Sequence, residues 1–357
     1  MSRPKVYFTD FSTKPGMSLL KKLKLLIDKS QTLDILEKGK LAAIKIHFGE
    51  YGNLAYIRPN YTRVIVDAIR EKGTNPFVTD ANTLYKGSRS NAVDHFNTAI
   101  VNGYTSQVVN APIIIADGLR GSDEVKIKID GEYVKEAKIG SAIAHADYVI
   151  SVAHFKGHEQ TGFGGAIKNL GMGSASRAGK MEQHSNSKPE ISKDNCVRCR
   201  MCEINCPVSA IKVDDYAKID YDICIGCGQC IAMCNFGAVQ PVWDSSTEFL
   251  SMKIAEYTKA VVKDKKCFHI NFINNISPNC DCWGMNEIPI APDIGIAIST
   301  DPVALDQASY DMVKQTVGHD PFAEVHSSTD SQVQLEHAEK TGVGSREYEL
   351  IKINCSL

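Results

Sequence analysis

Two compact cysteine blocks limit what this chain can fold into more than any other feature of its sequence. The first, CVRCRMCEINCPVSAI, begins at Cys196, and the second, CIGCGQCIAMCNFGAV, begins at Cys224. Both have the spacing C-x2-C-x2-C-x3-C, which indicates an internal duplication. Cysteines this close are poorly placed to pair with one another, and a chain of 357 residues can bury a core without disulfides. The blocks therefore predict bound metal in a reducing compartment.

The spacing is typical of iron–sulfur clusters, since zinc sites use separated C-x2-C pairs instead of triplets with an x3 tail. Three cysteines at x2 intervals wrap one face of a cube of iron and sulfide, and the fourth thiolate points to the neighbouring cube. Residues 191–241 resemble a bacterial two-cluster ferredoxin, in which the fourth cysteine binds the other cluster. On this basis we predict two 4Fe-4S clusters, one held by Cys196, Cys199, Cys202 and Cys234, the other by Cys224, Cys227, Cys230 and Cys206.

Composition excludes several other classes. The 40 basic and 42 acidic residues nearly cancel, so nothing global indicates nucleic acid or a membrane surface as a partner. No run approaches eighteen apolar residues, and the start lacks the apolar stretch of a signal peptide, so we expect no membrane span and a cytoplasmic location. Oxygen-sensitive clusters favour an anaerobic cell. A homodimer is left open.

On both sides of the cysteine blocks, predicted strands alternate with predicted helices. Strands are expected at 40–48, 75–80, 111–118, 147–155, 265–273, 293–300 and 348–353, and helices at 61–73, 89–102, 246–262, 302–316 and 330–341, with a hairpin over 124–140. This alternation predicts an α/β fold whose mainly parallel sheet has helices on both faces, with an inserted ferredoxin-like two-cluster module. The expected divisions are 1–190 for the first part of the core, 191–241 for the module and 242–357 for the second part.

The segment from His154 to His184 follows a predicted buried strand, so it lies at the carboxyl edge of the sheet, where open α/β folds bind ligands. Gly164 and Gly165 allow a ligand to approach the backbone closely, and a helix starting near Gly165 would aim its N–H groups at an anion. The basic side chains in the segment, which would bind an anionic ligand or cofactor, are Lys168, Arg177 and Lys180. The alternative is a glycine-rich loop with solvated bases.

Further candidate residues lie elsewhere in the chain. Cys280 and Cys282, in CDCWGM, could bind a soft metal together with His154 and His184, or could be ordinary buried thiols. His47, near Glu50, is a candidate acid–base residue, with a satisfied core histidine as the alternative. Cys267 is expected in the core. Asp293 and Asp301 are expected to serve a turn and a helix N-cap.

Across nearly its whole length the chain resembles the family called domain of unknown function 362, often described as iron–sulfur cluster-binding proteins. The stretches that carry this resemblance include KIHFGEYGNLAYIRP, HFKGHEQTGFGGAIKNLGMG, the paired cysteine blocks and CDCWGMNEIPIAPDIGIAISTDPVALD. The resemblance implies membership of that family, whose biochemical function is unsettled.

A more distant resemblance joins GFGGAIK to the lysine loop of nickel-pincer-nucleotide lactate racemases. In those enzymes a catalytic histidine lies ten residues before the cofactor-bearing lysine, and a metal-binding histidine sixteen residues after it. His158 and His184 have these spacings from Lys168. The pair Arg58–Pro59 is similar to that family's substrate-binding arginine, while Gly164 stands where the family usually has serine.

Three functions are compatible with these features. We favour an oxidoreductase whose clusters pass electrons between a redox partner protein and a site on the core that binds an anionic small molecule. In that site His158, Lys168 and His47 would be catalytic, and a third metal or unidentified cofactor is left open. The alternatives are a non-catalytic electron carrier or redox sensor, and a metal-dependent isomerase-like enzyme in which the clusters are structural.

Overall fold

The fold alternates strands and helices along a computed structural model that describes residues 3–184, 189–242 and 246–353. Over these residues the strands are β1 (Lys5–Asp10), β2 (Leu41–Ile46), β3 (Asn75–Asp80), β4 (Ile113–Ile115), β5 (Glu124–Lys128), β6 (Glu136–Gly140), β7 (Tyr148–His154), β8 (Lys156–His158), β9 (Gly162–Gly164), β10 (Pro189–Ile191), β11 (Ile211–Val213), β12 (Ala217–Ile219), β13 (Val239–Pro241), β14 (Lys266–Ile273), β15 (Gly295–Ser299) and β16 (Glu349–Lys352).

The helices of the same residues are α1 (Leu19–Ser30), α2 (Pro59–Glu71), α3 (Ala92–Val101), α4 (Ser106–Val109), α5 (Ser141–Ala144), α6 (Ala166–Ser174), α7 (Arg177–His184), α8 (Met201–Ile204), α9 (Gln229–Met233), α10 (Thr247–Val262), α11 (Pro302–Val317), α12 (Pro321–Val325) and α13 (Val333–Lys340), with a short 3₁₀ helix at Thr32–Ile35. None of these helices has both the length and the apolar character needed to cross a membrane.

One large sheet organises the core, with the strand order β16-β1-β15-β14-β7-β2-β3-β4. The strands β14, β7, β2, β3 and β4 run parallel to one another, whereas β15 runs antiparallel to both β14 and β1. The sheet is therefore mainly parallel, and the predicted α/β fold class is confirmed. The antiparallel β15 was not foreseen, because a strand's direction depends on the length of its connection and leaves no mark on its own composition.

Both faces of the sheet are buried because the central strands are almost entirely apolar. On one face Ile44 and Ile270 join a hydrophobic cluster that also contains side chains of α1 and α2. On the other face Ala297 packs among side chains of α6, α10, α11 and α13. Alternate residues of a strand point to opposite faces, so Ile296 and Ile298 belong to the first cluster while Ala297 belongs to the second.

Helix caps explain several of the boundaries. The Asp301 carboxylate accepts hydrogen bonds from the backbone N–H groups of Val303 and Ala304, both at 2.9 Å, and so caps α11 as predicted. The Asp293 carboxylate accepts from the Asn275 N–H at 2.8 Å, so it joins two loops eighteen residues apart and does not close the local turn predicted for it.

The segment that carries the cysteine blocks leaves and rejoins the core through adjacent strands. β10 pairs antiparallel with β13, and Pro189 is opposite Pro241. Between them lie the hairpin β11–β12 and the short helices α8 and α9. The predicted connection over 182–194 includes residues 185–188, which lie outside the described residues. We define residues 189–241 as the cysteine module.

One buried histidine on β14 gives a pH prediction. His269 is fully buried between Ser151 and Ser299 of the neighbouring strands, and within the described residues neither ring nitrogen has a hydrogen-bond partner. Burial lowers its pKa to about 3. A depressed pKa means that the unfolded chain binds the proton more tightly, so stability is lost as pH falls below the unfolded value near 6.5.

When the pH falls from 7 to 5, the free energy of unfolding should therefore decrease by about 2 kcal/mol more in the parent than in His269→Leu. Urea unfolding of both proteins at the two pH values measures this as a difference between variant and parent, which cancels any acid lability shared by both. An equal pH dependence in the two proteins would contradict the prediction.

Candidate functional site

The candidate site lies at the carboxyl edge of the parallel strands. Lys45 and His47 stand at the end of β2, Asp80 ends β3, and His154 ends β7. The loop after β14 brings Cys280 to the same edge. Parallel strands end together, so residues far apart in sequence meet here.

These residues line a cavity of about 580 Å³, a volume within the range of small-molecule sites. Its charged lining consists mainly of bases, with fewer carboxylates: Lys45, Lys86, Arg89, Lys156, Lys168 and Lys180, against Asp80, Glu159 and Asp281. Exposed Lys86 and half-exposed Trp283 lie at the rim. The excess of positive charge favours an anionic ligand.

Cys280 is the buried centre of this lining. The Lys168 ammonium donates to its sulfur at 3.5 Å, and the Cys282 backbone N–H donates to it at 3.4 Å. The thiol of Cys282 and the ring of His158 also hydrogen-bond to the same sulfur. A sulfur that receives this many donors is stabilised as the thiolate.

The pKa values of the two thiols move in opposite directions. The hydrogen bond from Cys282, with the charges of Lys168 and Lys156, holds the pKa of Cys280 well below its usual range, although burial opposes the shift. The same hydrogen bond, helped by burial, raises the pKa of Cys282 well above its usual range. Cys280 is thus the thiolate of the pair and Cys282 the thiol.

The structure brings together the three residues with the racemase-like spacing, since His158, Lys168 and His184 all line the cavity. The Nδ1 atom of His158 accepts the Gln160 N–H at 3.2 Å, which leaves Nε2 as its protonated nitrogen when the ring is neutral. Burial, followed by the charge of Lys168, lowers the pKa of His158. Burial, again with Lys168 second, lowers the pKa of His184 to about 3.

His47 also lines the cavity. Its Nδ1 atom accepts the Gly49 N–H at 2.9 Å, so the neutral ring carries its proton on Nε2. That buried Nε2 atom has no hydrogen-bond partner in the described part of the chain. Burial lowers the pKa of His47 to about 3, so the ring is neutral near pH 7 and presents one N–H.

Buried ion pairs lie in the wall of the cavity. The Lys45 ammonium lies 2.9 Å from the Asp80 carboxylate, and both side chains are at most 3% exposed. Arg89 pairs with Glu50 at 2.9 Å and lies 3.7 Å from Asp80. Although burial opposes ionisation, the charge of Lys45 keeps the pKa of Asp80 well below its usual range. Each buried base therefore has a compensating carboxylate.

His154 is not available as a ligand of the third metal site that was predicted from it together with His184, Cys280 and Cys282. The Nδ1 atom of His154 lies 2.8 Å from the Asp281 carboxylate and its Nε2 atom 2.6 Å from the Asn274 carbonyl, so both nitrogens are engaged. His154 instead fixes the loop that carries Cys280.

The expected anion site at the start of α6 is also corrected. The Asp306 carboxylate of α11 accepts from the N–H groups of Ala166 and Ile167 at 2.7 and 2.8 Å. A Cβ on Gly165 would lie 2.3 Å from an Asp306 oxygen, so the glycine is required by this carboxylate. The helix N-terminus therefore already holds an anion from the chain itself.

The two arginines that were predicted to bind a ligand, Arg58 and Arg177, lie outside the cavity lining. Arg58 is exposed at the N-terminus of α2. Arg177 is buried and its guanidinium donates to the backbone carbonyls of Arg120, Leu84 and Ser90. Arg177 therefore joins loops together and has no free face for a ligand.

Lys180 and Gly164, which were predicted to bind a ligand or cofactor, line the cavity. The Lys180 ammonium donates to the Ala175 carbonyl, and burial lowers its pKa to about 8. A Cβ on Gly164 would lie 3.3 Å from both the Lys156 Nζ and the Lys168 Cδ, so the glycine leaves room for two lysines side by side.

The cysteine module contains two further cavities, and each is lined by four cysteines. One is lined by Cys196, Cys199, Cys202 and Cys234, and the other by Cys206, Cys224, Cys227 and Cys230. These are the two sets predicted from the spacing, including the exchanged fourth cysteine. None of these eight cysteines forms a disulfide. Four sulfurs around a void match the ligand set of an iron–sulfur cube.

The backbone around these thiols is repeated in both halves. The Ala210 N–H donates to the Cys206 sulfur and the Ala238 N–H to the Cys234 sulfur, both at 3.2 Å. Such bonds stabilise the reduced, more negative state of a cluster. The loops wrap their cavities through residues with positive φ, at Arg198 and Arg200 in the first repeat and at Gly226 and Gly228 in the second.

The module packs directly on the wall of the large cavity. Leu84, which lines that cavity, belongs to one buried hydrophobic cluster with Met181, Cys202 and Cys230. A Cβ on Gly228 would lie 3.8 Å from Leu84 and 3.2 Å from Arg177. The second repeat is therefore the part of the module that adjoins the core, whereas Cys199 of the first repeat is exposed.

Several lining residues were not predicted from the sequence, namely Lys45, Asp80, Tyr85, Arg89, Lys156 and Asp281. Lys45 and Asp80 could have been found, because each lies at the carboxyl end of a predicted strand. Arg89 and Tyr85 lie on an irregular loop whose path is set by tertiary contacts, so no sequence signal pointed to them.

Short segments of the chain are similar to ferredoxin-like proteins. The pyruvate synthase subunit PorD of Methanocaldococcus jannaschii is 40% identical over 57 residues, which are 15% of this chain and 66% of that protein. The PorD subunit of Methanothermobacter marburgensis is 35% identical over 77 residues, 22% of this chain and 89% of that protein. An uncharacterised ferredoxin of M. jannaschii is 47% identical over 47 residues, 12% of this chain and 28% of that protein. These relatives imply iron–sulfur clusters.

Two solved structures resemble the chain at low sequence identity. The lactate racemase apoprotein of Thermoanaerobacterium thermosaccharolyticum has a TM-score of 0.37 and 13% identity, covering 76% of this chain and 52% of its own. A Thermotoga maritima protein has a TM-score of 0.41 and 10% identity, covering 84% of this chain and 58% of its own. This chain therefore spans only a little over half the length of each of these two proteins.

The sequence profile of one family matches residues 42–311, well over half of the chain, and extends across the cysteine module. This match agrees with the family predicted from KIHFGEYGNLAYIRP and the other stretches quoted above. The chain belongs to the family described as domain of unknown function (DUF362).

Proposed function

We propose that this chain is an oxidoreductase that carries two 4Fe-4S clusters and exchanges electrons between a redox partner protein and an anionic small molecule in the core cavity. One observation carries the proposal: Leu84 belongs both to the wall of the basic cavity and to the hydrophobic cluster that contains Cys202 and Cys230. A redox module built against a ligand-sized cavity is the arrangement that such an enzyme needs.

The cysteines divide the work of holding the clusters. Each set of four would hold one cluster. The first set is Cys196, Cys199, Cys202 and Cys234, and the second is Cys206, Cys224, Cys227 and Cys230. When bound, the clusters supply electrons one at a time. Exposed Cys199, with half-exposed Val197 beside it, marks the side of the module that a redox partner would approach.

The cavity residues have separate tasks. The ammonium groups of Lys156, Lys168 and Lys180 balance the charge of an anion and hold it in the cavity. The neutral ring of His47 carries its proton on Nε2 and can donate a hydrogen bond to a ligand in the cavity, while the Nε2–H of His158 bonds to the Cys280 sulfur.

The test begins with anaerobic purification and with iron and sulfide analysis, which should give about eight irons per chain. The dithionite-reduced protein is then mixed with small anionic oxidants of different classes, such as 2-oxo acids, unsaturated carboxylates and disulfides. At least one class should restore the visible absorbance of the oxidised clusters, and the rate should fall about 100-fold in Lys168→Met.

The control variant is Lys72→Met, which removes an exposed lysine paired with Asp34 and should leave the rate unchanged. Iron content must be equal in all proteins compared. Rates that are the same in Lys168→Met, His158→Asn and the parent for every oxidant would contradict an active site in the cavity.

That outcome would support the second candidate, a non-catalytic electron carrier. The relatives favour it, since PorD is a subunit of pyruvate synthase and another relative is a subunit of an ion-translocating oxidoreductase complex. A carrier should pass electrons to a larger redox protein at the same rate whether or not Lys168 is present.

A further inference from the structure

The geometry of Cys280 and Cys282 is more specific than the charge of the cavity requires. The two residues occupy one tight turn, in which the Trp283 N–H donates to the Cys280 carbonyl at 3.1 Å. Within this turn the Cys282 thiol hydrogen-bonds to the Cys280 sulfur. The turn, together with the hydrogen bond from the Cys282 backbone N–H to the Cys280 sulfur at 3.4 Å, places the two side chains as neighbours for disulfide formation.

The surroundings distinguish this pair from an ordinary buried thiol. Lys168 lies 3.5 Å from the Cys280 sulfur, His158 also contacts it, and Lys156 adds a second ammonium. Cys267 of β14 offers the comparison in the same chain: its thiol donates to the Lys265 carbonyl at 3.8 Å, and no ammonium group donates to its sulfur among the hydrogen bonds of the described residues. Burial raises the pKa of Cys267 to about 11.

We propose that Cys280 and Cys282 form a redox-active dithiol that reduces an anionic disulfide bound in the cavity. Cys280 is the attacking thiolate and Cys282 the resolving thiol. Both sulfurs line the cavity, together with the bases that would hold the carboxylates of such a disulfide.

The exchange takes place in two balanced steps. The Cys280 thiolate attacks one sulfur of the substrate; the substrate S–S bond breaks, a mixed disulfide forms and one substrate thiolate leaves, its charge balanced by Lys156 and Lys168. The Cys282 sulfur then attacks Cys280; the mixed disulfide breaks, and the second substrate sulfur leaves with the proton of Cys282. Two electrons have passed to the substrate, and the protein holds a Cys280–Cys282 disulfide.

Two electrons and one proton return the protein disulfide to one thiolate and one thiol. Their source is a low-potential one-electron donor of the iron–sulfur class, and only this return step rests on the proposed function. The exchange itself needs no cluster, so it can be tested as a single turnover.

The probe is 5,5′-dithiobis(2-nitrobenzoate), an anionic aromatic disulfide whose released thiolate absorbs visible light. Mixed anaerobically with the iron-loaded protein, it should release about two equivalents more from the parent than from Cys280→Ser. In Cys282→Ser the excess should be about one, and peptide mass spectrometry should find one nitrobenzoate bound to Cys280. The parent peptide should instead carry an internal disulfide.

Two further variants test the role of Lys168 in the exchange and provide a control thiol. Lys168→Met should slow the first release about tenfold, because the thiolate loses an ammonium neighbour. Cys267→Ser removes a thiol of the same chain that has no part in the exchange, and should behave as the parent. Far-UV circular dichroism confirms that each variant folds.

A parent protein that keeps the probe on Cys280, or that releases no more than Cys280→Ser, overturns the proposal. Iron analysis of the same samples tests the proposed function separately. Protein without iron that still shows two-step release supports the dithiol and overturns the cluster assignment. Iron-loaded protein that shows no release supports the cluster assignment and overturns the dithiol.

Discussion

In Cys206→Ala we expect the cavity lined by Cys224, Cys227 and Cys230 to lose its cluster. The cavity lined by Cys196, Cys199, Cys202 and Cys234 should keep its cluster. Cys206 belongs to the first repeat, but it lines the same cavity as Cys224, Cys227 and Cys230 of the second. A 4Fe-4S cube that loses one of four thiolates is usually lost or converted. Iron should fall from about eight to about four per chain.

Alkylation under native conditions shows which cluster is lost, because cysteines bound to iron resist the reagent. In Cys206→Ala, peptide mapping should find Cys224, Cys227 and Cys230 modified while the thiols of the other cavity stay protected. Cys234→Ala should give the reverse pattern. The control, Cys267→Ser, should keep all its iron.

If alkylation showed that the four cysteines of each repeat are protected together, the proposed exchange of fourth cysteines between the repeats would be contradicted. If Cys206→Ala exposed Cys196, Cys199 and Cys202 and left the second block protected, each repeat would hold its own cluster. The two outcomes involve different peptides, so partial loss of iron does not blur the distinction.

The contrast between the module and the core shows what the sequence could predict. A cluster site is built from cysteines at short fixed intervals, so both ligand sets were predicted from spacing and the structure places the same thiols around each cavity. The fold class was predicted because strands such as β7, buried on both faces, read as continuous apolar runs. Residues 5–30 carry no predicted element, although β1 and α1 lie there, because the short strand lacks clear alternation.

The core site was only half predictable, because its contacts join distant segments. Lys168 meets Cys280 across more than a hundred residues, and nothing local to either residue indicates the other. The same applies to Asp306, which comes from α11 to cap α6 and so occupies the site that was predicted for an anionic ligand. Arg177 and Arg58 had suitable chemistry but lie outside the cavity lining, since side-chain direction depends on packing.

The second large effect is expected from removing the carboxylate under the cavity. Asp80 is the ion partner of Lys45 at 2.9 Å, and both side chains are nearly inaccessible to solvent. Without Asp80 the Lys45 ammonium keeps only the neutral Asn169 oxygen, at 2.9 Å, and Arg89 loses one of its two carboxylate neighbours. An uncompensated buried charge of this kind typically costs about 3–5 kcal/mol.

Asp80→Ala should therefore lower the free energy of unfolding by about 3–5 kcal/mol, measured by anaerobic urea unfolding followed by circular dichroism. The double variant Lys45→Met with Asp80→Ala should recover part of that loss, because it removes the orphaned charge along with its partner. Asp34→Ala breaks the exposed pair with Lys72 and should leave the unfolding midpoint nearly unchanged. If the double variant were less stable than Asp80→Ala alone, the loss would come from the cavity left by the side chain, and the buried charge of Lys45 would not be its cause.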